Sequence, residues 1–457
     1  MDAKLNVVIC SDLGHHGDKL LVYAKKVGEK SGSLSYVNFP AAVVQNDNSR
    51  LNQDIKVGNV ETSGCSALYR VSADSSETYS LGGLAITRLD PGKVRKLANV
   101  VGEKDRAFLS LGESRFESAY CDALIETTIA FILQGFVNKG VVQKLSDIRV
   151  CALGFALPHA LIYNTIEKNV NAVNHVTSLL KGRVECEIAF DCNNYKHITF
   201  IPLKDATDDV SDDTIIIDDE HIVAESQCVS LLYQALLNVD GTAKEFADND
   251  GGVHTLENDG SYFNNSLILD LGKRTGQLLH LIDLGTFEEI SQLEPRDYAM
   301  YNVDCQVAAE MNEFYGLKEG GSFYFKGEDI DNILTGKLDC TADKVSGDMI
   351  YNMDDEKFNI TESRLRNVEA ICRQMVDILM GIDDGIFLRR IRFIFVAGGS
   401  AKLFYPVIND LIISKFPAKE GRVILCEETC GKDMSDSVFS VCGGLFRMLT
   451  AMYPEIK

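Results

Sequence analysis

Apolar and polar positions fall into short blocks along the first 40 or so residues. LNVVICSD, KLLVYAKK and SLSYVNF are apolar or alternating runs, each bounded by Gly, Asp or Ser. This pattern predicts three strands in a meander. Segment 41–110 is mixed and turn-rich. In ESAYCDALIETTIAFILQGFV, Leu124, Thr128, Phe131 and Ile132 share one helical face, which predicts a helix. IRVCALGF reads as a short, fully apolar strand, 157–182 as helical, and VECEIAF with HITFIPL as an antiparallel pair. Residues 205–221, DATDDVSDDTIIIDDEH, set acidic residues around a run of isoleucines and are expected to form a solvated edge or loop. AESQCVSLLYQALLN places Cys228, Leu231, Leu232 and Ala235 at helical spacing. The polar stretch that follows, VDGTAKEFADNDGGVHTLENDGSYFNN, is expected to be an exposed insertion.

The opening pattern then returns. SLILDLGKRTGQLLHLIDL is strand, Asp-Leu-Gly, polar turn and strand, as is NVVICSDLGHHGDKLLVYA. An internal duplication produces such an echo. A further signal is IRFIFVAGGSAKLFYPVINDLI, a buried strand running through Gly398-Gly399-Ser400 into a helix. The chain closes on MSDSVFSVCGGLFRMLTAMY, a helix whose Gly443-Gly444 pair is expected to permit tight packing between domains.

These turns have a common chemistry. Two Asp-x-Gly hairpins facing one another place Asp12 and Asp270 across a cleft, where carboxylates suit Mg²⁺, an ion that prefers oxygen ligands and keeps several waters. Gly14, His15, His16 and Gly17 offer backbone N–H groups to phosphate. Lys19, on the second strand, supplies a positive charge. Gly398, Gly399 and Ser400 close over a nucleoside, since paired glycines at a strand–helix junction admit a ring or phosphate. Each turn also has a plain structural reading: Asp12 and Asp270 as turn caps, His15 and His16 as solvent-facing side chains, Lys19 as a surface lysine.

Composition narrows the function class. At 457 residues the chain exceeds one ordinary core, so at least two domains are expected. The net charge of -22 disfavours direct nucleic-acid binding over a broad surface, so any contact with DNA requires a basic partner. The 13 cysteines are scattered without a CxxC pair, and CEETC has no companion cluster, so buried apolar roles are favoured over metal. MDAKLNVVICSD lacks the features of a signal peptide, and IETTIAFILQGF is too short and polar to span a bilayer. The expectation is a soluble, cytoplasmic protein with no membrane partner.

The ordered set of motifs resembles the actin-like ATPase family of actin, heat-shock chaperones and sugar kinases, over nearly the whole chain. CSDLGHHGDK looks like the family's first phosphate loop, LDLGKRTG like the second, and FVAGGSAKLFYPVI like the adenosine motif. AESQCVSLLYQALL and SDSVFSVCGGLFRML look like the two interdomain helices. Within the family, FESAYCDALIETTIAFILQGF followed by IRVCALGFALP, and the pair Glu225-Ser226, are most similar to ParM-type actins of bacterial plasmid segregation. The resemblance implies an α/β, two-domain (RNase H-like) fold with a nucleotide cleft between domains. Domain I would hold 1–237 with 434–457 returning to it, and domain II 238–433.

It also implies a filament that binds ATP, or GTP, with Mg²⁺, hydrolyses it and falls apart. Plasmid DNA would be moved through a small DNA-binding adaptor on a centromere-like repeat, in a bacterial cytoplasm. Gly272 and Thr275 join the nucleotide-binding residues by the same resemblance. Glu225 is favoured to hold the attacking water from the start of the first interdomain helix, with Gln227 the competitor. ParM-type proteins usually run Asp-Leu-Gly-Gly-Thr-Thr in the second loop, followed by an Asp. Here Lys273 and Arg274 replace the small residues and Gln277 stands in place of that Asp. The two cations either strengthen phosphate binding or face solvent. The insertion after the first interdomain helix is longer than expected. The alternative function is a non-polymerising ATPase of the same fold, a small-molecule kinase or a chaperone-like reactivase. No clear base for a substrate hydroxyl is visible, and the chain ends just after the last interdomain helix.

Overall fold

The computed structural model describes residues 3–14, 18–41, 43–46, 65–88, 116–163, 167–190, 194–247, 252–273, 276–290, 297–321, 323–334, 342–345, 348–353, 355–429 and 435–456. The chain forms two compact units, Met1–Thr242 with Val441–Lys457, and Ala243–Ser440. Both boundaries fall a few residues later than the expected 237 and 434.

Unit 1 opens with the expected meander, β1 (Leu5–Leu13), β2 (Asp18–Lys26) and β3 (Ser33–Phe39). Then come β4 (Val43–Asn46), β5 (Ser66–Arg70), β6 (Thr78–Gly82), α1 (Gly83–Arg88), α2 (Ala119–Asn138) and β7 (Ile148–Leu157). The rest of its N-terminal part is α3 (His159–Tyr163), α4 (Glu167–Ser178), β8 (Val184–Ala189), β9 (Lys196–Pro202), β10 (Thr214–Ile217), β11 (Ile222–Ser226) and α5 (Gln227–Leu236). One sheet takes the order β3-β2-β1-β7-β10-β9-β8-β5-β6-β4, with β11 also on β7. β1, β7, β10 and β9 are mutually parallel along this path, and β11 is parallel to β7.

Two expectations are corrected here. The acidic stretch 205–221 is not simply a solvated loop, because its isoleucines form β10. That strand is buried between β7 and β9, with Ile215 and Ile217 fully enclosed. The aspartates flank the strand, and charge counting over the whole window hides a short run of core positions. Helix α2 is buried on nearly every side rather than one, and its Glu126 is sealed in with the Tyr69 hydroxyl donating at 2.9 Å. At 20 residues it is also longer than IETTIAFILQGF, and by length and composition alone it could cross a membrane. Of its most apolar 18-residue stretch 67% is buried inside the protein, so core burial accounts for its apolar character.

Unit 2 begins with a small pair, β12 (Phe246–Ala247) and β13 (Val253–His254). Next come β14 (Ser266–Leu271), β15 (Gly276–Asp283), β16 (Thr286–Glu289), α6 (Met300–Phe314) and α7 (Gly327–Leu334). A three-stranded patch of β17 (Ala342–Val345), β18 (Asp348–Met353) and β19 (Glu356–Asn359) precedes α8 (Ile360–Gly381). Then come α9 (Ile386–Arg390), β20 (Ile394–Ala397), α10 (Ala401–Lys415) and β21 (Val423–Leu425), after which the chain returns to unit 1 with α11 (Ser440–Met452). The main sheet has the order β16-β15-β14-β20-β21. The insertion is not merely exposed. Tyr262 and Phe263 are buried, His254 stacks on Tyr262 at 3.7 Å, and Phe246 and Phe393 complete an aromatic cluster.

The echo in the sequence is an echo in topology. Each unit has an antiparallel meander whose first strand runs parallel to a later buried strand, β1 to β7 and β14 to β20. The Gly443-Gly444 pair packs within unit 1. A Cβ on Gly444 would lie 1.7 Å from the Ser230 carbonyl oxygen of α5. The close approach therefore joins α11 to α5, not one domain to the other as expected.

Candidate functional site

The Asp-Leu-Gly turns end β1 and β14 at matching registers. Asp12 lies opposite Lys19 on β2 and beside Ala156 on β7. Asp270 lies opposite Gln277 on β15 and beside Ala397 on β20. Cross-strand neighbours sit close enough for their side chains to meet.

In unit 1 the Asp12 carboxylate is buried, at 2% exposure, and both its oxygens are engaged. Lys19 Nζ is 2.8 Å from Oδ2, and Gln227 Nε2 donates to Oδ1 at 2.7 Å. Gly14 closes the turn by donating its N–H to the Asp12 carbonyl at 2.8 Å, so that group serves the turn itself. His15, His16 and Gly17 lie outside the described residues. The next residue, Asp18, is fully buried, with Ser11 Oγ donating at 2.6 Å. Burial lifts its pKa to about 7, against the lowering effect of that hydrogen bond.

Glu225 sits on β11, not at the head of the helix. Ser226 is the N-cap and Gln227 the first residue of α5. Glu225 Oε1 accepts the Ser226 N–H at 2.7 Å, which fixes the carboxylate against the strand end. Ser226 Oγ accepts the Val229 N–H at 3.4 Å and lies 2.9 Å from His159 Nδ1. Burial lowers His159 to about 4, so its ring is neutral at pH 7 and anchors the cap without adding charge. His159 was not singled out in the sequence. It follows the Leu157-Pro158 that ends β7, and that was its only signal.

In unit 2, Gly398 is in the left-handed region at φ 96°. A Cβ there would fall 2.4 Å from Asp270 Oδ1 and 2.7 Å from the Leu271 backbone nitrogen. The missing side chain therefore lets β20 turn directly over the Asp270 carboxylate. Ser400 N–H donates to the Leu271 carbonyl at 2.9 Å and locks the two loops together, while Gly399 stays exposed. The Gly272 and Lys273 carbonyls accept the first N–H groups of α6, from Met300 and Tyr301.

Lys273 is engaged by carboxylates of its own unit. Its ammonium pairs with buried Asp304 of α6 and, at 2.9 Å, with Asp331 of α7. Arg364 of α8 reaches Asp304 at 3.2 Å. Burial raises the pKa of Asp304, and the two cations oppose that shift. Arg274 and Thr275 lie outside the described residues. The structure thus gathers Asp12, Gly14, Lys19, Glu225 and Gln227 in one unit, and Asp270, Gly272, Gly398, Gly399 and Ser400 in the other.

No protein-family model matches the sequence, and no curated protein is similar to it in sequence. Solved structures do match over the full chain. Actin-like protein Alp7A aligns at 11% identity with a TM-score of 0.55, covering 100% of this chain and 98% of its own. Bacillus thuringiensis ParM with ATP aligns at 13% identity and TM-score 0.55, covering 99% of each. A non-polymerisable quadruple mutant of pCBH ParM aligns at 14% identity and TM-score 0.50, covering 97% and 98%. The chain has the actin-like ATPase fold. Identities this low establish the actin-like architecture alone, which the chain shares with ParM and Alp7A, and leave the chemistry to be argued from these residues.

Proposed function

We propose that this chain is a nucleotide-driven filament protein of ParM type that hydrolyses ATP, or GTP. The observation that carries the reading is the duplicated half-site, in which Asp12 and Asp270 hold one register in two meanders of one topology. Likeness in fold to a ParM solved with ATP supports nucleotide binding, and likeness to a ParM described in a non-polymerisable mutant form supports assembly.

In this reading both half-sites serve one nucleotide. Lys19 shares its charge between Asp12 and the phosphates, and the Gly398–Ser400 turn receives the nucleoside. Thr275 and the backbone around Gly17 and Gly272 would add phosphate contacts. The oxygen-only character of Asp12 and Asp270 fits Mg²⁺, which when bound to the phosphates would offset their charge. Glu225 holds the attacking water, since phosphoryl transfer depends mainly on positioning. Gln227 holds Asp12 in place. The net charge of -22 fits a polymer that meets plasmid DNA only through a DNA-binding adaptor.

The test is paired. Phosphate release and filament decay are followed for Glu225→Ala and Gln227→Ala, and ATP binding for Asp270→Ala. Slow release and slow decay in Glu225→Ala with ATP binding intact is the expected result, together with weakened binding in Asp270→Ala. Slow decay in Gln227→Ala alone moves the water-holding role to that residue. Unchanged binding in Asp270→Ala removes the second half-site.

A further inference from the structure

Unit 2 contains a cavity of about 610 Å³ that is foreign to an acidic chain. Its lining includes Tyr262, Arg389, Arg392, Lys415, Lys419 and Arg422. This concentrates five cations in a protein of net charge -22. Among the described residues only Lys415 has a carboxylate partner, exposed Asp377 at 2.9 Å. Three of the others, Arg392, Arg422 and Lys419, rest on neutral groups. Arg392 donates to the Tyr262 carbonyl at 3.3 Å, and Arg422 to the Tyr262 hydroxyl at 2.6 Å. Both guanidinium groups lie over the Tyr262 ring, at 5.7 and 5.6 Å. Lys419 is 7% exposed, and its ammonium donates to the carbonyls of Arg389 and Ile391. Such an arrangement leaves the buried Lys419 ammonium beside Arg422 with no carboxylate partner among the described residues, which is costly.

The cavity is separate from the half-site of the same unit. Arg389 and Arg392 precede β20, and Lys419 and Arg422 precede β21, whereas Asp270 and Gly398 sit at the opposite ends of their parallel strands. Six residues of extended chain between 392 and 398 span roughly 20 Å.

We propose that this cavity is a second ligand site, specific for a compact multivalent phosphate anion. Guanidinium forks match phosphate oxygens in pairs, and Arg389, Arg392 and Arg422 keep most of their donors for a ligand. The volume lies within the range of small-molecule sites, ~300–1,000 Å³. An oligophosphate packs several charges into such a volume, while an acidic peptide spreads its charges along an extended strand. The ring of Tyr262 has His254 stacked on one face and is approached by the two arginines, which argues against a nucleobase and for the phosphate chain alone. Burial first, then Arg422, lowers the pKa of Lys419, a penalty that a bound anion relieves.

The experiment is calorimetric titration with sodium tripolyphosphate in EDTA, at low and moderate salt, on the full chain. Wild type, Asp270→Ala, the double variant Arg389→Glu/Arg392→Glu and the double variant Arg389→Lys/Arg392→Lys are compared, with a thermal melt of each to confirm folding. Both substituted arginines are exposed, so the fold should tolerate the changes. The expected result is binding that persists in Asp270→Ala, weakens at least tenfold in the Glu variant, and partly returns in the Lys variant. Equal affinity in wild type and the Glu variant, or binding lost in Asp270→Ala alone, overturns the proposal and assigns the anion to the nucleotide half-site. An absence of binding to wild type also overturns it. If the Glu variant then changes only ATP-dependent pelleting, the basic cavity is a contact for another copy of the chain instead.

Discussion

Two glycine-to-alanine changes, each inside a helix, should shift stability in opposite directions. In Gly135→Ala the new methyl meets nothing within 4 Å on the flank of α2. Only helix propensity acts, and alanine is favoured over glycine by about 1 kcal/mol. In Gly444→Ala the same gain of about 1 kcal/mol is available. Its Cβ, however, would lie 1.7 Å from the Ser230 carbonyl oxygen, 2.5 Å from the Ser230 carbonyl carbon and 3.0 Å from the Gln234 nitrogen. These are backbone atoms of α5 and cannot rotate aside. Non-bonded contacts need roughly 3.5 Å, so the helices must part by more than 1 Å. Parting them also loosens Leu445 and Leu449, which pack over Gly154 of β7. Overpacking against side chains costs ~1–3 kcal/mol, and a backbone clash belongs at or above the top of that range. The net expectation is a loss of about 2 kcal/mol for Gly444→Ala and a gain of up to about 1 kcal/mol for Gly135→Ala. At roughly 2–4 °C per kcal/mol for units of this size, the two melting temperatures should separate by about 6 °C or more in far-UV circular dichroism. A Gly444→Ala protein as stable as wild type would refute the helix contact.

Asp18→Asn should raise stability at pH 8. The folded-state pKa of about 7 lies above the ordinary aspartate value of 3.8, so the wild-type contribution is full below pH 4 and is lost as pH rises through 7. The advantage of the variant should therefore shrink towards pH 4, from at most about 4 kcal/mol at pH 8, and equal pH profiles in urea titrations would count against the buried acid. Gly398→Ala should cost about 1–3 kcal/mol in strain at its positive φ and weaken ATP binding, since its methyl collides with Asp270. ATP affinity equal to wild type would show that this turn does not meet the nucleotide. Lys273→Met should destabilise unit 2 by about 3 kcal/mol by stripping a cation from buried Asp304, while Lys273→Arg should lose far less. Equal melts for the two variants would remove the ion pair from the account.

The hairpins were legible because strand, Asp-Leu-Gly and strand are local patterns, and their repetition made each copy more informative than it was alone. The strand before Gly398 and helix α10 after it were legible for the same reason. Strand β10 was not, because its four residues carry too short a period to outweigh the surrounding aspartates. Glu225 was placed on a helix that begins two residues later, a boundary set by the Ser226 cap and its histidine partner. The bonds that define the half-sites are tertiary. Gln227 meets Asp12 across 215 positions, and Lys273 meets Asp304 across 31, so neither leaves a trace in local spacing. The basic cavity draws on residues from 262 to 422 and was likewise invisible to a reading by segments.

The central claim is that nucleotide drives this chain into a polymer. Sedimentation with and without ATP, and again with GTP, tests it most directly. The account predicts that wild-type protein pellets with a nucleoside triphosphate, stays in the supernatant without one, and returns to the supernatant as phosphate is released. Protein that binds and hydrolyses ATP yet never pellets, at concentrations from micromolar to tens of micromolar, would contradict the account and make the chain a non-polymerising ATPase of the same fold.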